Sequence, residues 1–253
     1  MGIALSVVIP AFNEAPRIGP TLAAVKNWLE SKGMPAEIIV VDDGSRDGTA
    51  ERARAALSGF GESRILTLPE NRGKGAAVRA GVLEARGELI LISDADLSTP
   101  IAEIEKFLPL IEEGADIVIG SRAVPGADIQ VRQKALREGM GKFFNRLVRG
   151  LVLKGVPDTQ CGFKLFRREA ARRLFSEARV CGFCFDVEVL ALASRRGFRV
   201  RQVPVVWRNS PQSRVRLVRS SLRMIADLVR VRRRVGRGCV IGGDRPPTSP
   251  RAR

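Results

Sequence analysis

Short apolar runs that stop at polar residues recur along the first half of the chain, with apolar residues at helical spacing between them. No other feature restricts the fold as much. Residues 5–10, 37–41, 65–68, 89–93 and 116–120 read as strands. After the first run, Ile18, Leu22, Val25 and Leu29 share one helical face that stops at Gly33. Residues 47–57, residues 101–113 and the stretch opened by Asn71-Arg-Gly-Lys-Gly75 read as further helices. The runs lack the alternation of a sheet with one wet face, so both faces of each strand are covered. The expected fold class is α/β: a mostly parallel, Rossmann-like sheet flanked by helices and built from βαβ units.

From Ser121 the pattern changes. Residues 122–142 are polar and basic, 143–153 are apolar with arginine interruptions as in an interfacial helix, and 158–166 read as a loop entering a strand. Helices over 168–175 and 185–196 and a last strand over 198–207 follow. Leu217, Val218, Ser221, Leu222, Ile225, Leu228 and Val229 lie on one face of a helix over 217–235, rimmed by Arg216, Arg219, Arg223 and Arg230. Such a helix either lies on a membrane surface or packs on its own domain. Charge also divides the chain: residues 1–194 hold 26 Lys/Arg against 25 Asp/Glu, and residues 195–253 hold 17 against 2. The expected organisation is a main domain over 1–212, a basic amphipathic membrane-surface helix over 213–235 and a disordered tail over 236–253.

The absence of histidine removes His general bases, Ser-His-Asp triads and His-ligated zinc. Cys181-Gly-Phe-Cys184 has no second Cys-x-x-Cys to complete a zinc site, so the cysteines read as reduced, partly buried thiols. No apolar stretch reaches the ~20 residues of a membrane span, and no signal peptide precedes the first strand. The expected location is cytoplasmic, with any membrane contact peripheral, on the cytosolic face, and without a transmembrane span.

Four polar clusters fall at strand ends: Asn13-Glu14, Asp42-Asp43-Gly44-Ser45, Gly73-Lys74-Gly75 and Asp94-Ala-Asp96. In open α/β sheets ligands bind beyond the carboxyl ends of the strands. Acidic residues gathered there repel one another unless a cation or hydrogen-bond donors lie between them. Asp42 or Asp43 suits a ribose hydroxyl or a base N–H, Lys74 suits a phosphate, and Asp94 with Asp96 suits a divalent cation bridging a diphosphate. An isolated Asp-x-Asp is also a common turn; the company of the other three clusters favours a ligand.

Val8-Ile-Pro-Ala-Phe-Asn-Glu14, Val40-Val-Asp-Asp-Gly-Ser45, Asn71-Arg-Gly-Lys-Gly75 and Asp94-Ala-Asp96 together resemble a family 2 glycosyltransferase with the GT-A fold. Gly120-Ser-Arg122 and Asp158-Thr-Gln-Cys-Gly-Phe-Lys164 narrow the likeness to the polyprenyl-phosphate branch, which includes dolichyl-phosphate glucose and dolichol-phosphate mannose synthases. Ser98, where the mannosyl pattern has Gln, and the 158–166 stretch stand nearer the glucosyl enzymes. The resemblance implies a nucleotide-diphosphate sugar donor, a polyprenyl (dolichyl or undecaprenyl) phosphate acceptor, and Mg²⁺ or Mn²⁺ on Asp94 and Asp96. It implies donor contacts at Pro10, Asn13, Glu14, Asp42, Asp43, Lys74, Asp94, Ala95 and Lys164, with Arg214 or Arg216 closing over the diphosphate. It places Arg122 with Arg132 or Arg137 on the acceptor phosphate, so Asp94, Asp96, Arg122 and Arg137 carry catalysis. Asp186 and Glu188 would face the sugar, or else only favour a helix start.

A phosphate monoester is already ionised at neutral pH, so such an acceptor requires no general base. An anionic membrane surface is the expected partner of the basic helix. The competing readings are mannosyl transfer from GDP-mannose, a family 2 transferase with a non-lipid acceptor, a nucleotidyltransferase, and a nucleic-acid-binding protein. The first strand lacks the nucleotidyltransferase's following Gly-rich loop, and the basic tail lacks the interleaved aromatics of a nucleic-acid surface, so no nucleic acid is expected.

Overall fold

The structure, a computed structural model, describes residues 2–131, 135–208, 217–236 and 239–241, apart from the side chains of 135–138, 142 and 217–222. β1 (Leu5–Ala11), β2 (Ala36–Asp42), β3 (Ser63–Thr67) and β4 (Leu89–Ile92) run parallel in the order β3-β2-β1-β4. They are joined by α1 (Ala15–Ser31), α2 (Thr49–Ala56) and α3 (Lys74–Glu84). Successive strand residues point to opposite faces, so one strand feeds two cores. Val7, Ile9, Ile38 and Val40 pack with Ile18, Leu22 and Leu29 of α1, while Val8, Ile39 and Val41 pack with Ala77, Val78 and Val82 of α3. This double burial explains why the strands read as continuous apolar runs.

The second half completes the sheet differently. β5 (Ile117–Ser121), β6 (Asp128–Val131), α5 (Ala135–Leu151) and β7 (Leu153–Lys154) precede β8 (Lys164–Arg167), which inserts antiparallel between β4 and β5. α6 (Arg168–Glu177), α7 (Phe185–Arg196), β9 (Val200–Pro204), β10 (Val206–Arg208), α8 (Leu217–Val235) and β11 (Cys239–Val240) follow. Among the described residues the main sheet is seven-stranded, β3-β2-β1-β4-β8-β5-β9. The single helix expected over 101–113 divides into a 3₁₀ turn, Ile101–Lys106, and α4 (Leu108–Glu112), because Pro109 cannot donate to the preceding turn. The single last strand divides at Val205 into β9 and β10, the latter pairing with β6.

Two expectations for the C-terminal region need correction. In α8 the buried stripe is Leu228, Val231 and Val235, which pack into the main core, whereas Ile225 and Val229 are each 39% exposed. The helix therefore packs on the domain with a face shifted from the one read in the sequence. Within 236–253, β11 pairs with β7, and Cys239 and Ile241 are buried. A short apolar segment gains enough burial there to order it, so disorder does not extend over 239–241. Residues 237–238 and 242–253 lie outside the described residues. In the 143–153 stretch, Phe144 and Val148 join the core and Phe143 stays 56% exposed. Among the described residues no helix is long and apolar enough to cross a membrane.

Candidate functional site

The carboxyl ends of β2, β1 and β4 form one rim, and the connections leave it in opposite directions at the β1/β4 boundary, where such sheets open a crevice. Antiparallel β8 brings its first residue to the same rim, since Ile92 and Ile119 both pair with Lys164. The non-glycine residues with positive φ among the described residues, Asn13 at +54° and Leu97 at +47°, both stand here. Strained backbone of this kind gathers at functional sites.

Pro10 is buried on β1. Just beyond it, Asn13 ties two loops together: its N–H donates to Ser45 Oγ at 2.8 Å and its Oδ1 accepts from the Arg46 N–H at 3.1 Å. Glu14 pairs with Arg17 at 2.5 Å, and its N–H donates to Thr49 Oγ1 at 2.8 Å. Asp42 and Asp43 are both buried but differ in task. Asp43 accepts the N–H groups of Arg72 and Gly73, each at 2.8 Å, and the Asn71 amide at 3.0 Å. Burial nonetheless pushes its carboxyl above the usual range, against those donors. It is thereby committed to the loop that starts α3. Asp42 accepts the Ser45 N–H at 3.1 Å through Oδ1, leaving Asp42 as the better of the two for a ligand.

Beyond β4 the charges interlock. Lys74, the first residue of α3, lies 2.6 Å from Asp94 Oδ1. Burial raises the Asp94 carboxyl, but Lys74, Lys164 and Arg122 outweigh it and hold the group below its ordinary value. Burial lowers Lys74, and Asp94 and Asp186 reverse this, so it stays firmly protonated. Gly162 leaves the space that the Asp94 carboxylate fills: a Cβ there would lie 2.0 Å from Oδ2. Asp96 Oδ1 accepts the Ser98 N–H at 3.1 Å, and its Oδ2 lies 3.8 Å from Arg17. Between them Ala95 is buried, with its carbonyl taken by Thr21 Oγ1 at 2.7 Å.

Several sequence expectations change. Lys164, expected with Arg214 or Arg216 to close over the donor diphosphate, is buried, donating to the Cys161 carbonyl and pairing with Asp186 at 2.5 Å. Asp186 thus reaches the cluster from below, and burial pushes its carboxyl up despite Lys164 and Lys74. Glu188 does not face the sugar side: its oxygens hold the Arg179 and Val180 N–H groups and Arg234. Arg122, expected on the acceptor phosphate, forms a fork on Asp158 at 2.7 and 2.8 Å, stacked 5.3 Å from the Trp207 ring, with its side chain 25% exposed. Arg132, Arg214 and Arg216, and the Arg137 side chain, lie outside the described residues.

Asp158, Gly162 and Arg17 join the site without having been singled out individually. One signal was available. Lys164 opens the apolar Lys164-Leu-Phe166 run read as a strand entry, and a charge carried into a buried strand needs a partner.

Asp94 and Asp96 keep 34% and 22% of their side chains exposed. Among the described residues no group of three or more His, Cys, Asp or Glu could enclose an ion. Two open carboxylates suit a hard cation that keeps most of its positions for water and phosphate oxygens, so the donor set fits Mg²⁺ or Mn²⁺.

A model of the family "Glycosyl transferase family 2" matches residues 6–175. A dolichyl-phosphate beta-glucosyltransferase of Trichomonas vaginalis is 43% identical over 88% of this chain and 69% of its own length. Its counterpart in Homo sapiens is 38% identical over 91% of this chain and 75% of its own length. A crystal structure of glucosyl-3-phosphoglycerate synthase from Mycobacterium tuberculosis, in complex with Mn²⁺, UDP-glucose and phosphoglyceric acid, superposes with a TM-score of 0.68. It covers 94% of this chain and 81% of that one at 24% identity, a likeness of fold.

Proposed function

We propose, from the premise that this chain belongs to glycosyl transferase family 2, that it transfers glucose from UDP-glucose to dolichyl phosphate and inverts the anomeric carbon. The observation that carries the reading is the Lys74–Asp94 pair at the sheet's crevice. It puts a fixed cation and an open carboxylate where a nucleotide diphosphate binds in such folds. The similarity to dolichyl-phosphate beta-glucosyltransferases supports glucose and dolichyl phosphate over mannose, over a soluble acceptor and over nucleic acid.

In this reading Asp42 takes the nucleoside and Lys74 the donor phosphates. Asp94 and Asp96 would hold Mg²⁺ or Mn²⁺, which neutralises charge on the diphosphate as it departs. The dolichyl phosphate oxygen attacks directly; it is anionic at neutral pH and needs no base, consistent with a chain without histidine. Arg122, kept rigid by Asp158, and Arg132 or Arg137 receive the acceptor phosphate.

The acceptor resides in a bilayer. The outward face of α8, with Ile225, Val229, Arg223 and Arg233 exposed, is assigned to an anionic membrane surface on its cytosolic side. The test is transfer by the purified protein with Mg²⁺ or Mn²⁺, a polyprenyl phosphate and labelled UDP-glucose or GDP-mannose. A lipid-extractable, mild-acid-labile product from UDP-glucose alone is expected; product from GDP-mannose alone, or none from either, overturns the reading.

A further inference from the structure

We infer that Glu188 is a positioning residue for Lys74 and thereby sets affinity for the donor; this rests on the assignment of Lys74 to the donor phosphates. Glu188 lies on α7 and is 1% exposed. Its Oε2 accepts the backbone N–H groups of Arg179 and Val180 at 2.8 and 2.7 Å, while Oε1 pairs with Arg234 of α8 at 2.7 Å. Arg234 also donates to the Glu177 carbonyl at 2.5 Å. The loop between α6 and α7 is therefore gripped at its base by one carboxylate, itself held by the C-terminal helix.

The next two carbonyls of that loop meet the start of α3. Cys181 accepts the Ala76 N–H at 3.2 Å. A Cβ at position 73 would lie 2.5 Å from the Cys181 oxygen, and one at position 75 would lie 2.4 Å from the Val180 oxygen. Glycine on each side of Lys74 thus permits a backbone contact that side chains would forbid. Lys74, set between those glycines, has its height above the rim fixed by the loop, and Asp43 secures residues 71–73 from the opposite side. The path from Arg234 through Glu188 and the loop to Lys74 consists of direct contacts. A carboxylate that accepts two backbone N–H groups and one guanidinium is stronger than its neutral amide isostere. Replacing it loosens the loop without changing its shape.

The experiment is a double-mutant cycle on the affinity for UDP-glucose, measured by calorimetry with Mn²⁺ present, using Lys74→Met, Glu188→Gln and the double variant. Glu188→Gln is expected to weaken donor binding by about tenfold, and the double variant to bind no more weakly than Lys74→Met, because one residue acts through the other. KM for the dolichyl phosphate stays at the wild-type value. If Lys74→Met leaves donor affinity unchanged, the assignment of Lys74 fails. If Lys74→Met weakens binding but Glu188→Gln does not, or if the two losses multiply, the role of Glu188 fails. Should Glu188→Gln not accumulate as folded protein, Arg234→Gln replaces it in the same cycle and decides by the same criteria, since it removes the guanidinium that anchors both Glu188 and the Glu177 carbonyl at the base of the loop.

Discussion

Gly162→Ala isolates the Asp94 carboxylate from the rest of the fold. Gly162 is not among the positive-φ residues, so alanine suits its backbone. The added Cβ, however, would lie 2.0, 2.3 and 2.5 Å from Asp94 Oδ2, Cγ and Oδ1. Non-bonded heavy atoms settle near 3.5 Å, so the carboxylate has to retreat by roughly 1 Å or more. That displacement breaks the 2.6 Å contact with Lys74. Both partners are partly exposed, so the stability lost is no more than about 1 kcal/mol, a fall in Tm of about 2–4 °C for a chain of this size. A 1 Å misplacement in an active site costs about 10²-fold in rate. The expected variant is thus nearly as stable as wild type by thermal unfolding but about a hundredfold lower in kcat/KM for lipid-linked glucose formation. A folded Gly162→Ala protein with kcat/KM near wild type would refute the placement of Asp94 in the reaction.

Asp96→Ala is expected to abolish metal-dependent transfer while circular dichroism and Tm stay unchanged; retained activity removes Asp96 from the mechanism. Asp158→Asn leaves the Arg122 fork without its counter-charge and is expected to cost about 3 kcal/mol in urea unfolding at neutral pH, the low end for a buried pair because Arg122 keeps 25% of its side chain exposed. Burial raises the Asp158 carboxyl but Arg122 more than compensates, so its folded pKa lies below the unfolded one. The stabilisation is therefore present above the unfolded carboxylate pKa of about 4 and lost as pH falls through the lower folded value, so the gap between wild type and variant closes in acid. An equal gap at both pH values would refute the ionic account. Arg223→Glu with Arg233→Glu should weaken co-flotation with anionic vesicles, each basic residue being worth about 1 kcal/mol near such a surface. Unchanged binding would place the membrane contact elsewhere. Charge reversal is the cleaner test because deleting α8 also removes Leu228, Val231 and Val235 from the core.

The parallel half of the fold was legible because its strands are buried on both faces and its helices carry one apolar stripe; both leave periodic signatures in the sequence. The strand-end clusters were legible for the same reason, since the runs state where each strand stops. What lay beyond sequence was pairing. Whether Arg122 meets a phosphate or Asp158 depends on the loop that precedes β8 lying beside the end of β5, and no local pattern encodes that register. Glu188 and Asp186 stand two residues apart near the start of one helix, yet α7 turns one toward Arg234 and the other toward Lys164. Helical geometry predicts that two such residues diverge, but not which of them meets the rim. The α8 stripe was only partly legible: Leu228 lies on the face read in the sequence, but packing against α7 and α5 buries Val231 and Val235 beside it and leaves Ile225 and Val229 outside.

The insertion of β8 also imposes a timetable on synthesis. β1 to β4 have their sheet partners among themselves, apart from the outer edge of β4, and can close as soon as residue 92 has emerged. Among the described residues β5, buried at every position, pairs only with β8 and β9, both of which come later in the chain. A nascent chain therefore carries an apolar strand with no neighbour until residues 164–167 and 200–204 follow it from the ribosome. Contacts so distant in sequence form slowly and leave sticky intermediates exposed. Pulsed hydrogen exchange during refolding should protect β1 and β2 amides before those of β5; simultaneous protection would mean that the sheet closes as one unit.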